Sequence, residues 1–245
     1  MRLAGSGLGA LAVLALSLPA AAQDHAGHGA GAGGAGGDMT AAQEALYREN
    51  GGQRLGGVRL DLAEGGAGAP GGDWRVEASA WTGGDINRAR LRVRAETDAT
   101  ELELAWVHAF DPWWNLQAGA GKDVSGDGDA YLMAGVEGLA PYWIHASGEL
   151  RLSERGRLGA HVEAATDQRI TRRLILQPRL EAGIGIDGGL DLHEAEAGLR
   201  LRYEFRPEFA PYVGWVWSRR SDASHGGGDE AETSSGLVAG LTAWF

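Results

Sequence analysis

The stretch that predicts the fold most clearly is His193–Arg206, which reads HEAEAGLRLRYEFR. Apolar and polar side chains alternate along it, so that alanine, leucine and aromatic residues share one face and charged residues share the other. Alternation with a period of two is typical of a β-strand. Arg88–Glu96, RARLRVRAE, repeats the pattern, with an arginine at every second position from 88 to 94 and a glutamate at 96. Both segments predict long strands with one apolar and one charged face.

Segments of about ten residues with the same alternation continue through the chain from Leu55 onward. An even number of antiparallel strands of this length is typical of bacterial outer-membrane barrels. The sequence therefore predicts an all-β fold, an antiparallel outer-membrane β-barrel of about 12 strands. The predicted strands are 55–64, 73–82, 88–97, 100–109, 113–122, 129–138, 142–152, 157–166, 173–184, 193–206, 209–220 and 234–245.

The connections between these strands alternate between two classes. One set is compact and often contains proline, whereas the other is mostly longer and rich in glycine, with tight exceptions at 98–99 and 153–156. Outer-membrane barrels have short periplasmic turns and longer external loops, so we place both chain ends on the periplasmic side. The alternative is a soluble β-sandwich with an aromatic core. A sandwich does not account for the charged strand faces together with the alternating loop lengths.

The region before the predicted barrel divides into two parts. Residues 1–22 have the features of a signal peptide, namely Arg2, the apolar run Leu8–Leu18 and the small residues Ala20–Ala22, although an uncleaved anchor is an alternative. Residues 23–54 are rich in glycine and alanine and predict a flexible tail with room for one short helix at 40–49. The barrel then occupies residues 55–245.

Composition excludes several classes of function. The chain has no cysteine, which rules out disulfides and thiolate chemistry, and its net charge of −11 argues against nucleic acid as a partner. No uninterrupted apolar run outside the signal peptide is long enough for a transmembrane helix. Neither a phosphate-binding loop nor a serine nucleophile motif is present. We therefore predict a protein that is not an enzyme.

Metal ligands are predicted first in the tail, where His25, His28 and Met39 lie on a flexible backbone. Imidazole together with carboxylate or thioether groups suits copper and other late transition metals. Charged strand faces would line a narrow lumen, where a lattice of salt bridges without any ligand is the alternative interpretation. The metal-ligand candidates of the lumen are Glu96, Glu101, Met133, His145 and His161.

Two of the lumen candidates depend on a predicted turn. If Asp98 and Ala99 form a two-residue turn, Glu96 faces Glu101 across the hairpin and Glu103 faces Arg94. Two opposed carboxylates would form a cation site, while the second pair would form a salt bridge. At the other end of the chain, an alternating apolar face finishes on the terminal Phe245, which resembles the signal read by the outer-membrane assembly machinery.

Several runs in the barrel region resemble the copper resistance protein B family of Gram-negative outer-membrane proteins. They occur in the same order as in that family and cover nearly the whole barrel. The runs are Gly83-Gly84-Asp85 with Asn87, WNLQAG at 114–119, GLAPYW at 138–143, RLILQPRLE at 173–181, EAGLRLRYE at 196–204 and FAPYVG at 209–214.

This resemblance implies copper binding and a role in copper homeostasis or resistance at the outer membrane, alongside periplasmic copper proteins. Members of the family typically carry a segment rich in methionine and histidine ahead of the barrel. In this chain that segment is reduced to Asp24-His25, His28 and Asp38-Met39. The resemblance therefore favours a conduit or a low-capacity binding protein over bulk storage. A structural or general small-solute barrel is the alternative function.

Overall fold

The structure is a computed structural model that describes residues 54–66, 74–125, 128–186, 190–221 and 232–245. The predicted signal peptide, the tail up to residue 53 and the tail ligands His25, His28 and Met39 lie outside the described residues. Within the described ranges, helical structure is limited to the 3-10 turn Pro141–Trp143, and no helix is long and apolar enough to cross a membrane.

The described chain is built from antiparallel strands that follow one another in sequence. Twelve of them are nine to thirteen residues long, and β9 has two residues. The strands are β1 Leu55–Gly65, β2 Trp74–Gly83, β3 Asn87–Glu96, β4 Thr100–Ala109, β5 Trp114–Asp123, β6 Ala130–Ala140, β7 Ile144–Ser153, β8 Leu158–Thr166, β9 Gln168–Arg169, β10 Leu174–Gly185, β11 Asp191–Tyr203, β12 Phe209–Arg220 and β13 Glu232–Trp244.

The sheet closes on itself. Each long strand pairs with its neighbours in the chain, β13 pairs with β1, and β11 pairs with both β10 and β12. The short strand β9 pairs with β10 in the same register as β8 does, on the far side of Pro178. Proline has no backbone N–H, so it interrupts the hydrogen-bonding ladder at that point. With β9 as the continuation of β8, the fold is the predicted barrel of twelve antiparallel strands.

The two faces of the barrel have opposite character. Large apolar side chains point outward and are exposed, among them Leu104 at 62%, Leu132 at 64% and Leu237 at 67%. Charged side chains point inward, and Glu103 and Arg200 are only 2% and 1% exposed. A soluble protein shows the reverse arrangement, whereas a continuous apolar exterior around a polar interior is the pattern of a membrane-spanning barrel.

The two ends of the barrel are named here by their connections. The turn end carries the connections β2–β3, β4–β5, β6–β7, β8–β10 and β11–β12, together with the C-terminal Phe245; the loop end carries the other connections, which include the tight turns between β3 and β4 and between β7 and β8. At the turn end Tyr142 is 85% exposed and Trp143 is 70% exposed, as expected of aromatic residues at a membrane interface. Both have positive φ, so β7 begins at Ile144, two residues later than predicted.

One predicted hairpin register is wrong. Arg94 pairs with Glu101 and Ala95 pairs with Thr100, so the two-residue turn is Thr97-Asp98 and not Asp98-Ala99. The backbone N–H of Glu96 donates to the carbonyl of Ala99 at 2.8 Å, which closes this turn. Moving the turn by one residue shifts the pairing by two and keeps every side chain on its predicted face.

The observed register has a physical reason. It places Arg94 opposite Glu101 and Arg92 opposite Glu103, so that opposite charges meet across the hairpin. The predicted register would have set Glu96 opposite Glu101, and like charges directly opposite one another destabilise a strand pair. The predicted site of two opposed carboxylates is therefore absent, as is the predicted pairing of Glu103 with Arg94.

Candidate functional site

A buried group of charged side chains spans the lumen from β1 and β2 to β10 and β11. These residues are each no more than 8% exposed, and three arginines among them face four glutamates. Strands β2 and β10 are five positions apart in a ring of twelve, in which six would be diametrically opposite. We call this group the cross-lumen cluster, and its members are Glu64, Arg75, Glu77, Arg179, Glu181, Glu196 and Arg200.

Two arginines of the cross-lumen cluster make its central contacts. From β2, Arg75 donates to Glu196 on β11 at 2.6 Å and to Glu181 on β10 at 3.2 Å. From β10, Arg179 donates to Glu77 on β2 at 3.1 Å. Each arginine therefore reaches a carboxylate on a strand far around the wall. Charge-assisted bonds of this kind are short and strong when both partners are shielded from water.

The third arginine of the cluster forms a bidentate ion pair. Arg200 on β11 donates through Nε and Nη2 to the two carboxylate oxygens of Glu64 on β1, at 3.0 and 2.8 Å. Tyr212 on β12 donates its hydroxyl to the same carboxylate at 3.0 Å. Gly240 lies opposite Tyr212 on β13, where an added Cβ would lie 2.6 Å from the phenol oxygen. The small residue thus leaves room for the tyrosine to reach Glu64.

A second charged group lines one side of the lumen between β3 and β7. It contains four arginines and four glutamates, and its partners are at most three strands apart. Arg94 donates to Glu101 at 3.3 Å, and Arg151 lies 3.3 Å from the same carboxylate. We call this group the wall cluster, and its members are Arg90, Arg92, Arg94, Glu101, Glu103, Glu137, Glu149 and Arg151.

Neutral side chains complete the wall cluster. Arg90 contacts Gln117 as well as Glu137, and Tyr131 donates its hydroxyl to Glu101. Gly121 lies opposite Tyr131, and a Cβ there would be 2.3 Å from the phenol oxygen. The wall cluster therefore uses the same arrangement as the cross-lumen cluster, in which a tyrosine reaches a carboxylate over a facing glycine.

A cavity of about 570 Å³ occupies the lumen toward the turn end. Near the mouth its lining includes Asp167, Glu204 and Trp244, and its inner end is formed by Glu77, Arg94 and Arg179. We call this cavity the vestibule. Its lining contains both positively and negatively charged side chains, so the vestibule is a polar cavity and not a hydrophobic pocket.

The two predicted carboxylate ligands are engaged by arginines. Glu96 lies 3.5 Å from Arg75 and 3.8 Å from Arg220, whereas Glu101 contacts Arg94 and Arg151. Glu96 and Glu101 lie on the two strands of one hairpin, but they are not opposite each other, and each carboxylate contacts a different pair of arginines. In this arrangement each carboxylate charge is balanced by two guanidinium groups.

The three softer candidates face the lumen as predicted but lie apart. Met133 is buried at 4% exposure, His145 is exposed in the vestibule, and the Nε2 of His161 lies 3.3 Å from Glu181. His145 pairs with Ala165 while His161 pairs with Glu149, so the two imidazoles are offset by four residues, roughly 13 Å along the strands. Among the described residues no group of three or more His, Cys, Asp or Glu side chains is arranged to hold a metal ion.

Several lumen residues were not predicted from the sequence. Glu64, Arg75 and Glu77 belong to the cross-lumen cluster, yet only the general alternation of the first two strands pointed to them. In the predicted strand 73–82, Arg75 and Glu77 alternate with Val76 and Ala78, which is the same signal as in β11. The alternation is therefore present in this strand, but it covers fewer residues than in β11, because glycines precede and follow the segment.

Comparison with known proteins agrees with the sequence runs noted above. The family described as Copper resistance protein B precursor (CopB) matches residues 54–245. Copper resistance protein B of Escherichia coli is 35% identical over 188 residues, covering 70% of this chain and 62% of that protein. The Copper resistance protein B homolog of Pseudomonas syringae pv. tomato is 34% identical, covering 69% of this chain and 63% of that protein. The chain thus spans less than two thirds of the length of these relatives.

Solved structures similar to this chain include two porins. The NanC porin has a TM-score of 0.49 and 12% identity, covering 77% of this chain and 99% of that one. The KdgM porin has a TM-score of 0.47 and 10% identity, with the same coverage of 77% and 99%.

Proposed function

The chain belongs to the copper resistance protein B family, and on that premise we propose that it is a copper-handling protein of the Gram-negative outer membrane. In this proposal it contributes to copper homeostasis and resistance without acting as an enzyme. Copper is its cargo and not a resident catalytic cofactor. The barrel is held in outer-membrane lipid, with its turn end and the N-terminal tail facing the periplasm.

The observation that carries the proposal is where the family match lies. It begins at residue 54 and ends at 245, which are also the limits of the described barrel. The part shared with the copper-resistance relatives is therefore the barrel itself. This supports a role for the lumen in the family function, in addition to any contribution from the sparse ligands of the tail.

We assign two steps of copper handling to different parts of the chain. The tail, with His25, His28 and Met39, captures ions in the periplasm because its ligands lie on a glycine-rich backbone that lets them converge. Two imidazoles are predicted as ligands in the lumen. His145 is the more accessible of them, because it is exposed in the vestibule whereas His161 contacts Glu181. Copper that enters the vestibule would meet His145 first.

The proposed partners follow from this placement. Periplasmic copper proteins would exchange ions with the tail, and the outer-membrane assembly machinery would recognise the C-terminal strand that ends at Phe245. Phe245 is 82% exposed at the turn end of the barrel, which is compatible with recognition from that side.

Copper tolerance of cells tests the function. A Gram-negative strain that lacks family members would be grown in rising copper concentrations with the full chain, with an empty vector, and with the triple variant His25→Ala, His28→Ala, Met39→Leu. We expect the full chain to raise the tolerated copper concentration, the triple variant to raise it less, and magnesium tolerance to stay unchanged. Membrane fractionation would verify equal amounts of protein in the outer membrane.

Equal copper tolerance with the full chain and with the empty vector would contradict the proposal. A general rise in permeability to small solutes, without a copper effect, would favour the alternative of a barrel with no metal selectivity. If the triple variant raised copper tolerance as much as the full chain does, the tail ligands would not be needed, and the lumen would be the part of the chain that handles copper.

A further inference from the structure

We infer that the lumen is blind: it opens to water at the turn end, and the cross-lumen cluster closes it toward the loop end. Movement of ions through the barrel then requires this barrier to open. The inference concerns the passage of any small ion and does not rest on the proposed copper function.

Burial of the charged side chains is the first argument. In a water-filled pore wide enough to conduct ions, arginine and glutamate side chains on the wall stay hydrated. Here the side chains of Glu64 and Arg200 are 1% and 2% exposed, and those of Arg75 and Arg179 are 6% and 8% exposed. Residues so poorly accessible to water are packed against other atoms on all sides, so the lumen is filled at their level.

The direction of the contacts is the second argument. Ion pairs between adjacent strands would follow the wall and leave the centre free. Arg75 and Arg179 instead join β2 to β10 and β11, which lie four or five positions away around the ring. Arg94 of the wall cluster lines the same cavity as Glu77 and Arg179, so the two clusters adjoin at this level of the lumen. The guanidinium groups therefore lie across the lumen.

The position of the vestibule is the third argument. It reaches the turn end at Asp167, Glu204 and Trp244, and it ends internally at Glu77 and Arg179, two members of the barrier. On the other side of these residues Glu64 and Arg75 lie at the loop-end limits of β1 and β2. Water and solutes that enter from the turn end consequently meet the ion pairs before they can reach the loop end.

Conductance in planar bilayers tests the barrier. An opened variant carries Arg75→Ser, Glu77→Ser, Arg179→Ser and Glu181→Ser, which removes two charges of each sign. The matched control carries Arg157→Ser, Asp129→Ser, Arg169→Ser and Glu204→Ser, which removes two charges of each sign from ion pairs at the barrel ends. In potassium chloride we expect wild type and control to show little conductance and the opened variant to show stable steps several-fold larger.

A second, independent measurement uses a protein in which the barrier residues are unchanged. Because the chain has no cysteine, a single Ser147→Cys substitution in the vestibule wall can be labelled with a small charged thiol reagent. In proteoliposomes of one orientation we expect rapid labelling from the turn end and labelling at least several-fold slower from the loop end. Arg75→Ser and Glu196→Ser together, added to Ser147→Cys, should reduce this difference.

Equal labelling of Ser147→Cys from both ends would overturn the inference, and so would a wild-type conductance as large as that of the opened variant. If the opened variant fails to fold, the labelling of the otherwise unchanged barrel decides the question alone. Neither measurement uses copper, so loss of the proposed copper function would leave both results interpretable.

Discussion

The cross-lumen cluster and the wall cluster contain the same two residue types but organise the barrel differently. Hydrogen-bonded partners in the cross-lumen cluster that join different strands are 102 to 136 residues apart in the chain. In the wall cluster they are at most 50 residues apart. The first group therefore ties distant parts of the barrel together, whereas the second supports one side of the wall. The clusters are similar in size, with seven and eight charged residues, but only the contacts of the cross-lumen cluster cross the lumen.

The two clusters also differ in how many partners each carboxylate has. Glu101 of the wall cluster has Arg94, Arg151 and Tyr131 as partners, so the loss of one leaves two. Glu64 of the cross-lumen cluster has Arg200 as its ion-pair partner and Tyr212 as a neutral donor. Because a buried carboxylate without a counter-charge is strongly destabilising, removal of an arginine should cost more in the cross-lumen cluster.

The largest effect is expected for Arg200→Met. The change leaves Glu64 buried with only a tyrosine donor, and breaking a buried ion pair from one side costs about 3 to 5 kcal/mol. The double variant Arg200→Met, Glu64→Gln should recover much of this loss because no uncompensated charge remains. Urea unfolding of the refolded protein in lipid vesicles would measure both; a single variant as stable as the double variant would remove the distinction between the clusters.

A smaller effect is expected for Arg94→Ala in the wall cluster. Glu101 keeps Arg151 and Tyr131, so the loss should be about 1 to 3 kcal/mol, as for one hydrogen-bonded charged group. The same unfolding experiment applies, with Arg200→Met as the comparison. If Arg94→Ala were the more destabilising of the two, the wall cluster and not the cross-lumen cluster would be the main internal brace.

The wall cluster can also be perturbed without changing any charge. Gly121→Ala places a Cβ against the phenol ring of Tyr131, and such overpacking typically costs about 1 to 3 kcal/mol. The expected result is a loss near the lower limit, because the ring is a side chain that can move. Gly121→Ala is also measured in the Tyr131→Phe background as the control: a smaller loss there would trace the effect to crowding of the Tyr131 hydroxyl by the added methyl group.

The smallest effect is expected at the surface of the turn end. Arg169 pairs with Glu204 at 3.2 Å, and the arginine side chain is 62% exposed. Exposed pairs contribute about 0 to 1 kcal/mol, so Arg169→Ala should change the unfolding free energy by no more than that. A loss comparable to that of Arg200→Met would show that burial is not the property that separates these ion pairs.

Sequence periodicity was sufficient to predict the faces of the strands but not the contacts that cross the lumen. Arg200 and Glu196 were correctly predicted to point inward, because the alternation in β11 has a period of two. The partner of Arg200 is Glu64, on a strand 136 residues earlier in the chain. That pairing depends on strand stagger and barrel closure, which local alternation does not encode.

The incorrect hairpin shows the same limit at short range. Asp98-Ala99 and Thr97-Asp98 are both compatible with the alternation around them, since moving the turn by one residue preserves the strand faces. Cross-strand charge was the information that distinguished them, because only the observed register sets arginine opposite glutamate at two successive lumen positions. The metal-ligand assignments of Met133, His145 and His161 stay predictions, and their inward direction is the part that periodicity could supply.

Selective copper binding by the refolded protein is the most direct test of the proposed function. Equilibrium titration of the full chain with copper and with magnesium, in lipid vesicles, would be repeated with the triple tail variant His25→Ala, His28→Ala, Met39→Leu and with His145→Ala. We predict that copper binds more tightly than magnesium to the full chain and that each variant binds less copper. Copper binding no better than magnesium binding, in the full chain and in both variants, would contradict a copper-handling function.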